Sequence, residues 1–188
     1  MPALDAPLVA RAIRRDQEAV EELLRQMRPG LVRYCRARLG RLHGTYTTAD
    51  DVAQDTCMAL LEALPTYRIT GEPFAAFAYT IAQRKVADVW RQYTRDRSVP
   101  TNLIAEEADP GPGPEDLALQ GDTWARLSRL LSKVTPAQRE ILLLRVGVGL
   151  SAEEVAVVVG STATNVRVQQ TRALQRLRGL TVNWGANW

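Results

Sequence analysis

Apolar residues recur along this chain at intervals of three and four, and strand-like alternation is missing, so the pattern predicts an all-α fold. Between residues 16 and 40, Val20, Leu23, Leu24, Met27, Leu31 and Tyr34 mark one helix face, with Pro29-Gly30 expected to kink or break it. Thr48 is placed to cap a helix that runs to about Leu64 and is ended by Pro65. Phe74, Phe77, Ala78, Ile81, Ala82, Val86 and Val89 share one face of a helix reaching about Arg95. Further helices are predicted at about 116–133, 136–146, 152–159 and 163–178.

The periodicity lapses once. Residues 98–116 (SVPTNLIAEEADPGPGPED) carry Pro100, Pro110, Pro112 and Pro114 with Gly111 and Gly113, a composition that predicts an extended linker. The chain therefore divides into a lobe at 8–97, an acidic linker at 98–116 and a lobe at 117–180.

Charge follows the same division. The formal net charge of +3 is a sum over unlike parts. Residues 1–100 carry 15 basic and 12 acidic side chains, and residues 101–123 carry no basic residue against Glu106, Glu107, Asp109, Glu115, Asp116 and Asp122. Residues 124–188 carry nine basic and three acidic, with Arg167, Arg172, Arg176 and Arg178 following the last acidic residue, Glu154. A basic terminal lobe is the electrostatic footprint of a polyanion, nucleic acid being the usual one, although a solvated helix face would look alike by charge alone.

Composition narrows the chemistry. Two cysteines, Cys35 and Cys57, in apolar helical settings suit small buried hydrophobes better than a disulfide framework. One histidine, His43, removes most zinc sites and most histidine acid–base chemistry. Nucleophile constellations, phosphate-loop glycines and metal-ligand clusters are absent, so no enzyme, cofactor, metal or small-molecule substrate is expected. No stretch has the roughly 18 apolar residues of a membrane span, and the first residues lack an apolar signal core, so a cytoplasmic protein is expected.

The strongest local signal lies at residues 150–177 (LSAEEVAVVVGSTATNVRVQQTRALQRL). Ser151 with Glu154 forms a capping box, and Leu150 with Val155 forms a hydrophobic staple. Gly160 supplies a left-handed or close-packed turn, and Thr162 caps a second helix with Ala163, Val166, Ala173, Leu174 and Leu177 facing inward. Thr164, Asn165, Arg167, Val168, Thr171 and Arg172 are left outward. Arg pairs with guanine, Asn with adenine, and Thr or Val methyls touch thymine, so this helix-turn-helix is read as DNA-binding. A helical hairpin that only packs is the alternative.

Residues 135–178 (TPAQREILLLRVGVGLSAEEVAVVVGSTATNVRVQQTRALQRLR) resemble the promoter-binding C-terminal domain of bacterial RNA polymerase sigma factors. Residues 49–57 (ADDVAQDTC) resemble the family's acidic core-binding helix, and residues 74–91 (FAAFAYTIAQRKVADVWR) its stretch beside the melted promoter. With two domains and a short linker, the chain is similar to the smallest class, the extracytoplasmic-function sigma factors. The resemblance spans about residues 8–180.

That resemblance implies a sigma2-like bundle and a sigma4-like helix-turn-helix domain. It implies a factor that binds core polymerase through the β′ clamp coiled coil and β flap, recognises promoter DNA at −10 and −35 elements and promotes melting. An anti-sigma factor is a further implied partner. Asp51, Gln54 and Asp55 would meet polymerase, with opposite charges supplying bonds and register. Tyr67, Arg68, Tyr79, Arg84, Lys85, Arg91 and Arg95 would meet the −10 region, and the outward residues of the second helix the −35 element. The loop from about Tyr67 to Pro73 would hold a flipped base, Asp88 would pair with a nearby arginine, and the acidic linker would thread the catalytic channel as a mimic of the transcript. Phe77 stands where the family usually has Trp, and Arg84 where it often has Asn. Gln170 occupies a more often apolar position, which predicts a local difference in how that helix packs. An ordinary helix-turn-helix regulator is the competing reading, and it needs neither the acidic helix nor the aromatic–basic one. Trp184 and Trp188 in the tail have no assigned role.

Overall fold

The computed structural model describes residues 5–39, 48–69, 71–97 and 129–182. The linker, most of the helix expected at 116–133, and the tail with its tryptophans lie outside the described residues. No strand occurs among the described residues.

The first lobe is built from α1 (Ala6–Ile13), α2 (Gln17–Leu39), α3 (Ala49–Ala63) and α4 (Phe74–Arg97). α1 is a helix that the apolar spacing alone did not single out; its Val9 and Ala12 are buried. Asp16 joins it to α2 by accepting the Ala19 amide at 3.1 Å and the Arg11 guanidinium at 2.9 Å. α2 runs as one helix through Pro29, so of the expected kink or break there is no break. Met27, Gly30 and Leu31 are buried on either side of the proline, so packing outweighs the one missing amide bond. Thr48 caps α3 as expected, and Leu64–Thr66 closes that helix as a 3₁₀ turn over Pro65.

The second lobe contains α5 (Pro136–Leu142), α6 (Ala152–Val159) and α7 (Ala163–Val182). α5 opens with a capping box between Thr135 and Gln138. Its helical run ends two residues past the expected 146, because Leu143–Val148 widens into a π-helical turn that stops at Gly149, φ 88°. Leu144 accepts the amides of both Gly149 and Leu150, at 3.1 and 2.9 Å, which closes the turn.

The lobes share one apolar core. α2 packs on the π-helical turn and α4 packs on α6. Leu23, Leu31, Tyr34, Tyr79 and Val86 belong to the same buried cluster as Ile141, Leu144, Val148, Leu150, Val155 and Val166. Val134, Leu142 and Ala173 form a smaller separate cluster beneath α7.

Candidate nucleic-acid interface

The helix-turn-helix assembles as its sequence dictates. Ser151 Oγ accepts the Glu154 amide at 3.1 Å, and Glu154 Oε2 accepts the Ser151 amide at 2.6 Å. Leu150 and Val155, the staple pair, are both buried. Gly160 turns the chain at φ 63°, and its following amide, Ser161 N–H, bonds the Ala156 carbonyl at 2.8 Å. Thr162 Oγ1 accepts the Asn165 amide at 3.2 Å and starts α7. Val166 and Ala173 are fully buried, so the opposite face is fixed outward.

That outward face carries Thr164, Asn165, Arg167, Val168, Thr171 and Arg172, all exposed. Asn165 Nδ2 donates to Ser161 Oγ at 2.9 Å, and Arg167 donates to Glu153 on the first helix of the motif. The α6-start amide of Glu153 and the Arg167 guanidinium hold the Glu153 carboxyl below its ordinary value. Exposed pairs of this kind are weak in water, so Arg167 can exchange its carboxylate for a phosphate or a base edge at small loss.

A second exposed face lies on α3. Asp51, Gln54 and Asp55 are exposed while Val52, Ala53, Thr56 and Leu60 are buried. On α4, Arg84, Asp88, Arg91 and Arg95 follow one another at four- and three-residue steps and are all exposed. Lys85 beside them is half-buried.

Comparison with known proteins decides between the regulator and the polymerase subunit. The sigma-70 region 2 family matches residues 23–96, and the sigma-70 region 4 family matches residues 124–177. The ECF RNA polymerase sigma factor SigD of Mycobacterium tuberculosis is 51% identical over 175 residues, 93% of this chain and 82% of SigD. ShbA of Streptomyces griseus, another ECF sigma factor, is 45% identical over 92% of this chain and 93% of its own. The chain belongs to the extracytoplasmic-function sigma factors of the sigma-70 family.

Solved structures agree in fold. CnrH, in complex with the cytosolic domain of CnrY, matches with a TM-score of 0.67 over 94% of this chain and 96% of that one, at 26% identity. RpoE of Bartonella quintana, in complex with the anti-sigma factor NepR, matches with a TM-score of 0.61 over 86% of this chain and 95% of that one, at 22% identity. The protein is thus a promoter-directing sigma factor, a transcription initiation factor in class.

Within this sigma factor the first lobe adds detail that spacing could not supply. Asp51 is engaged locally, its carboxylate accepting the Thr48 amide and hydroxyl at 2.8 Å each. Asp50, which the sequence reading passed over, makes a two-point pair with Arg36 of α2 at 2.8 and 2.6 Å. Met58 and Leu61 were also passed over; they are 53% and 37% exposed on the α3 face that carries Gln54 and Asp55. Gln54, Met58 and Leu61 recur at helical spacing, and that signal was available once α3 was oriented.

Tyr67 is half-buried: its ring meets Phe74 and Phe77 at centroid separations of 5.1 and 5.0 Å, and its hydroxyl donates to the Glu72 carbonyl at 2.6 Å. The aromatic brace fixes the loop through Pro73, where Arg68 and Ile69 are exposed and Gly71 adopts φ 122°. Thr70 of that loop lies outside the described residues. Asp88 pairs with Arg91 one turn on, as the family pattern implied.

Tyr79 is a correction. It is 0% exposed, with its ring edge-on to Tyr34 at 5.6 Å, and burial pushes its hydroxyl above the ordinary phenol value. In this arrangement it is a core residue and presents nothing to DNA. Its place on an apolar face, three residues before the buried Ala82, was the available signal. Gln170 explains itself differently. Its side-chain oxygen accepts from Arg145 Nε at 3.0 Å, while Arg145 also caps the Leu150 carbonyl, so a polar residue at an apolar position ties α7 to the π-helical turn.

No metal-binding group of three or more ligands occurs among the described residues, and no helix there is long and apolar enough to cross a membrane.

Proposed function

We propose that this sigma factor docks on core RNA polymerase through the exposed α3 face and reads promoter DNA with the two basic faces. Asp55, Gln54 and the neighbouring Met58 and Leu61 form a patch with an apolar centre and an acidic border, the composition of a protein interface. The partner of this face is the β′ clamp coiled coil, with Asp51 contributing both to the helix start and to its negative field. The second lobe takes the β flap, and its Thr164, Asn165, Arg167, Val168, Thr171 and Arg172 take the −35 element.

Arg84, Lys85, Arg91 and Arg95 on α4 take the −10 region, joined by Arg68 and Tyr67 from the loop. The loop braced by Tyr67 holds an unpaired base and promotes melting, since extruded bases are kept by stacking and shaped pockets. The acidic linker, 98–116, lies in the catalytic channel and yields to the transcript. The first lobe spans 8–97 and the second 117–180. The protein works in the cytoplasm, performs no catalysis of its own and needs no cofactor, membrane or small molecule. A protein partner such as an anti-sigma factor fits the likeness to CnrH, which is solved in complex with the cytosolic domain of CnrY.

The observation that carries this reading is the α3 face, because a regulator binding duplex DNA alone has no use for it. The test is run-off transcription with purified core polymerase on candidate promoters. Specific initiation is expected; tight duplex binding with no initiation on any template would favour the ordinary regulator.

A further inference from the structure

The helix-turn-helix carries one carboxylate that contact with DNA does not ask for. From Leu150 to the end of the chain the acidic residues are Glu153 and Glu154. Glu154 is spent within the protein, where its side chain closes the capping box with Ser151. Glu153 is left on the surface, more than half exposed, among residues suited to a polyanion. A negative charge there opposes phosphate and lowers affinity for every DNA sequence alike. The start of α6 does not depend on it, since the capping box is complete without it.

The surroundings of Glu153 show what it does instead. Its Oε1 accepts from Arg167 Nη2, so α6 reaches across to the outward face of α7. The meeting is secured by the frame beneath it. Arg145, in the π-helical turn, donates to the Leu150 carbonyl at the entrance to α6, and through Nε to Gln170 Oε1 on α7 at 3.0 Å. Arg145 thus ties the start of α6 to α7 one helical turn beyond Arg167. It also lies near enough to Glu153 to help hold that carboxyl below its ordinary value. An apolar residue in place of Gln170 would accept nothing from Arg145, and the frame would lose one of its ties.

The chemistry of arginine sets the consequence. A guanidinium has five N–H donors, and a single bond to Glu153 leaves a complete two-donor edge for O6 and N7 of guanine. An arginine held by nothing is equally well served by the nearest phosphate, which carries no sequence. With Glu153 in place, a swing to phosphate strands the carboxylate beside the DNA anions, whereas reading a base keeps the pair. The pair is weak in water. Once DNA displaces that water, the attraction strengthens and the swing costs more.

We propose that Glu153 is a specificity-determining residue, which positions Arg167 on a guanine of the −35 element and penalises its escape to the backbone. Discrimination between sequences rises while overall affinity falls. The proposal rests on the assignment of α7 to the −35 element, and adds to it a residue of α6 that reads no base itself.

Holoenzyme assembled from core polymerase and the full-length chain tests this on promoter duplexes randomised through the −35 element, the bound DNA being sequenced. The wild type should enrich guanine at a position where Arg167→Ala loses the preference. Glu153→Ala should cut that preference about fivefold or more, the range of one bidentate contact. It should also bind an unrelated duplex more tightly, with the salt slope steeper by about 1 as Arg167 takes a phosphate. Adding Glu153→Ala to Arg167→Ala should reduce the guanine preference no further, the signature of a residue that acts through Arg167. Melting temperature checks folding, and Glu153→Gln decides if Glu153→Ala fails to fold. An undiminished preference in the folded Glu153 variant, where Arg167→Ala loses it, overturns the positioning role and leaves the reading of α7 intact. Equal weakening on all duplexes marks a structural role and overturns it too. A preference that Arg167→Ala does not move overturns base reading by Arg167, and the proposal with it.

Discussion

Asp51 and Thr48 cap each other. The Asp51 carboxylate accepts the Thr48 amide and hydroxyl at 2.8 Å each, and Thr48 Oγ1 accepts the Asp51 amide at 3.1 Å. The face assigned to polymerase therefore begins with a carboxylate whose first task is to start the helix.

This separates two acidic residues that look equivalent in the sequence. Asp51→Ala should lower the melting temperature through loss of its half of the capping box. Asp55→Arg should leave the melting temperature nearly unchanged and abolish co-purification with core polymerase. Thermal melts and a pull-down on both variants check the division. Full core binding by Asp55→Arg would remove α3 from the interface.

The apolar centre of the same face gives a second expectation. Met58→Glu should weaken core binding at least tenfold, since it sets a charge at the apolar centre of the patch, where the few residues that dominate an interface each contribute about 2 kcal/mol or more. Because Met58 is 53% exposed, its replacement should cost little folding stability. Fluorescence titration with labelled core polymerase reads the change.

In the second lobe the turn of the DNA-binding motif depends on one residue. A Cβ at Gly160 meets no atom within 4 Å, so the penalty of Gly160→Ala is conformational alone, from φ 63°. About 1–2 kcal/mol is expected, enough to lower the melting temperature by several degrees in a chain of this size. Gly160→Asn should lose less.

Arg167 offers a test of DNA contact. Arg167→Ala should weaken binding of the holoenzyme to a −35 duplex by about 1–3 kcal/mol if it reads a base. A loss uniform across sequences, with the salt slope falling by about 1, would mark a phosphate contact instead. Binding isotherms at several salt concentrations on two promoter sequences distinguish these outcomes.

Acid should act on the first lobe in a defined window. Arg36 holds the Asp50 carboxyl, and the Thr48 amide and hydroxyl hold that of Asp51, below the ordinary 3.8. Folded values below unfolded ones mean the unfolded chain binds more protons, so stability rises with pH through that interval and is lost as pH falls through it. Melting temperature should stay level from neutral pH down to about 4 on this account and drop below it. In the same lobe, burial pushes the Cys35 thiol up to about 12. Cys35 should resist alkylation at pH 8 in the native state and react once unfolded.

Much of this was legible in the chain because the signals are local. The capping boxes at Thr48 and Ser151, the glycine turn at Gly160 and the inward stripe of α7 each depend on residues within one or two turns. What escaped depends on contacts remote in sequence. Tyr79 looked like an aromatic among arginines, yet it is enclosed between Tyr34 of α2 and the packing of α4 on α6. Pro29 looked like a kink or break because spacing says nothing of the burial on both sides that keeps α2 one helix. Glu140 looked like one more charge in a helix, and only the fold brings Tyr34, 106 residues earlier, to its side.

The continuous core has a consequence for dissecting this protein. Ile141, Leu144, Val148 and Val155 complete the same interior as Tyr34 and Tyr79, so neither half is a finished globule. A fragment ending at the linker would carry a raw apolar wound where the other half had been. Expressed alone it should aggregate or capture a surrogate, and cutting the chain between the two lobes is therefore a poor way to learn what each half does.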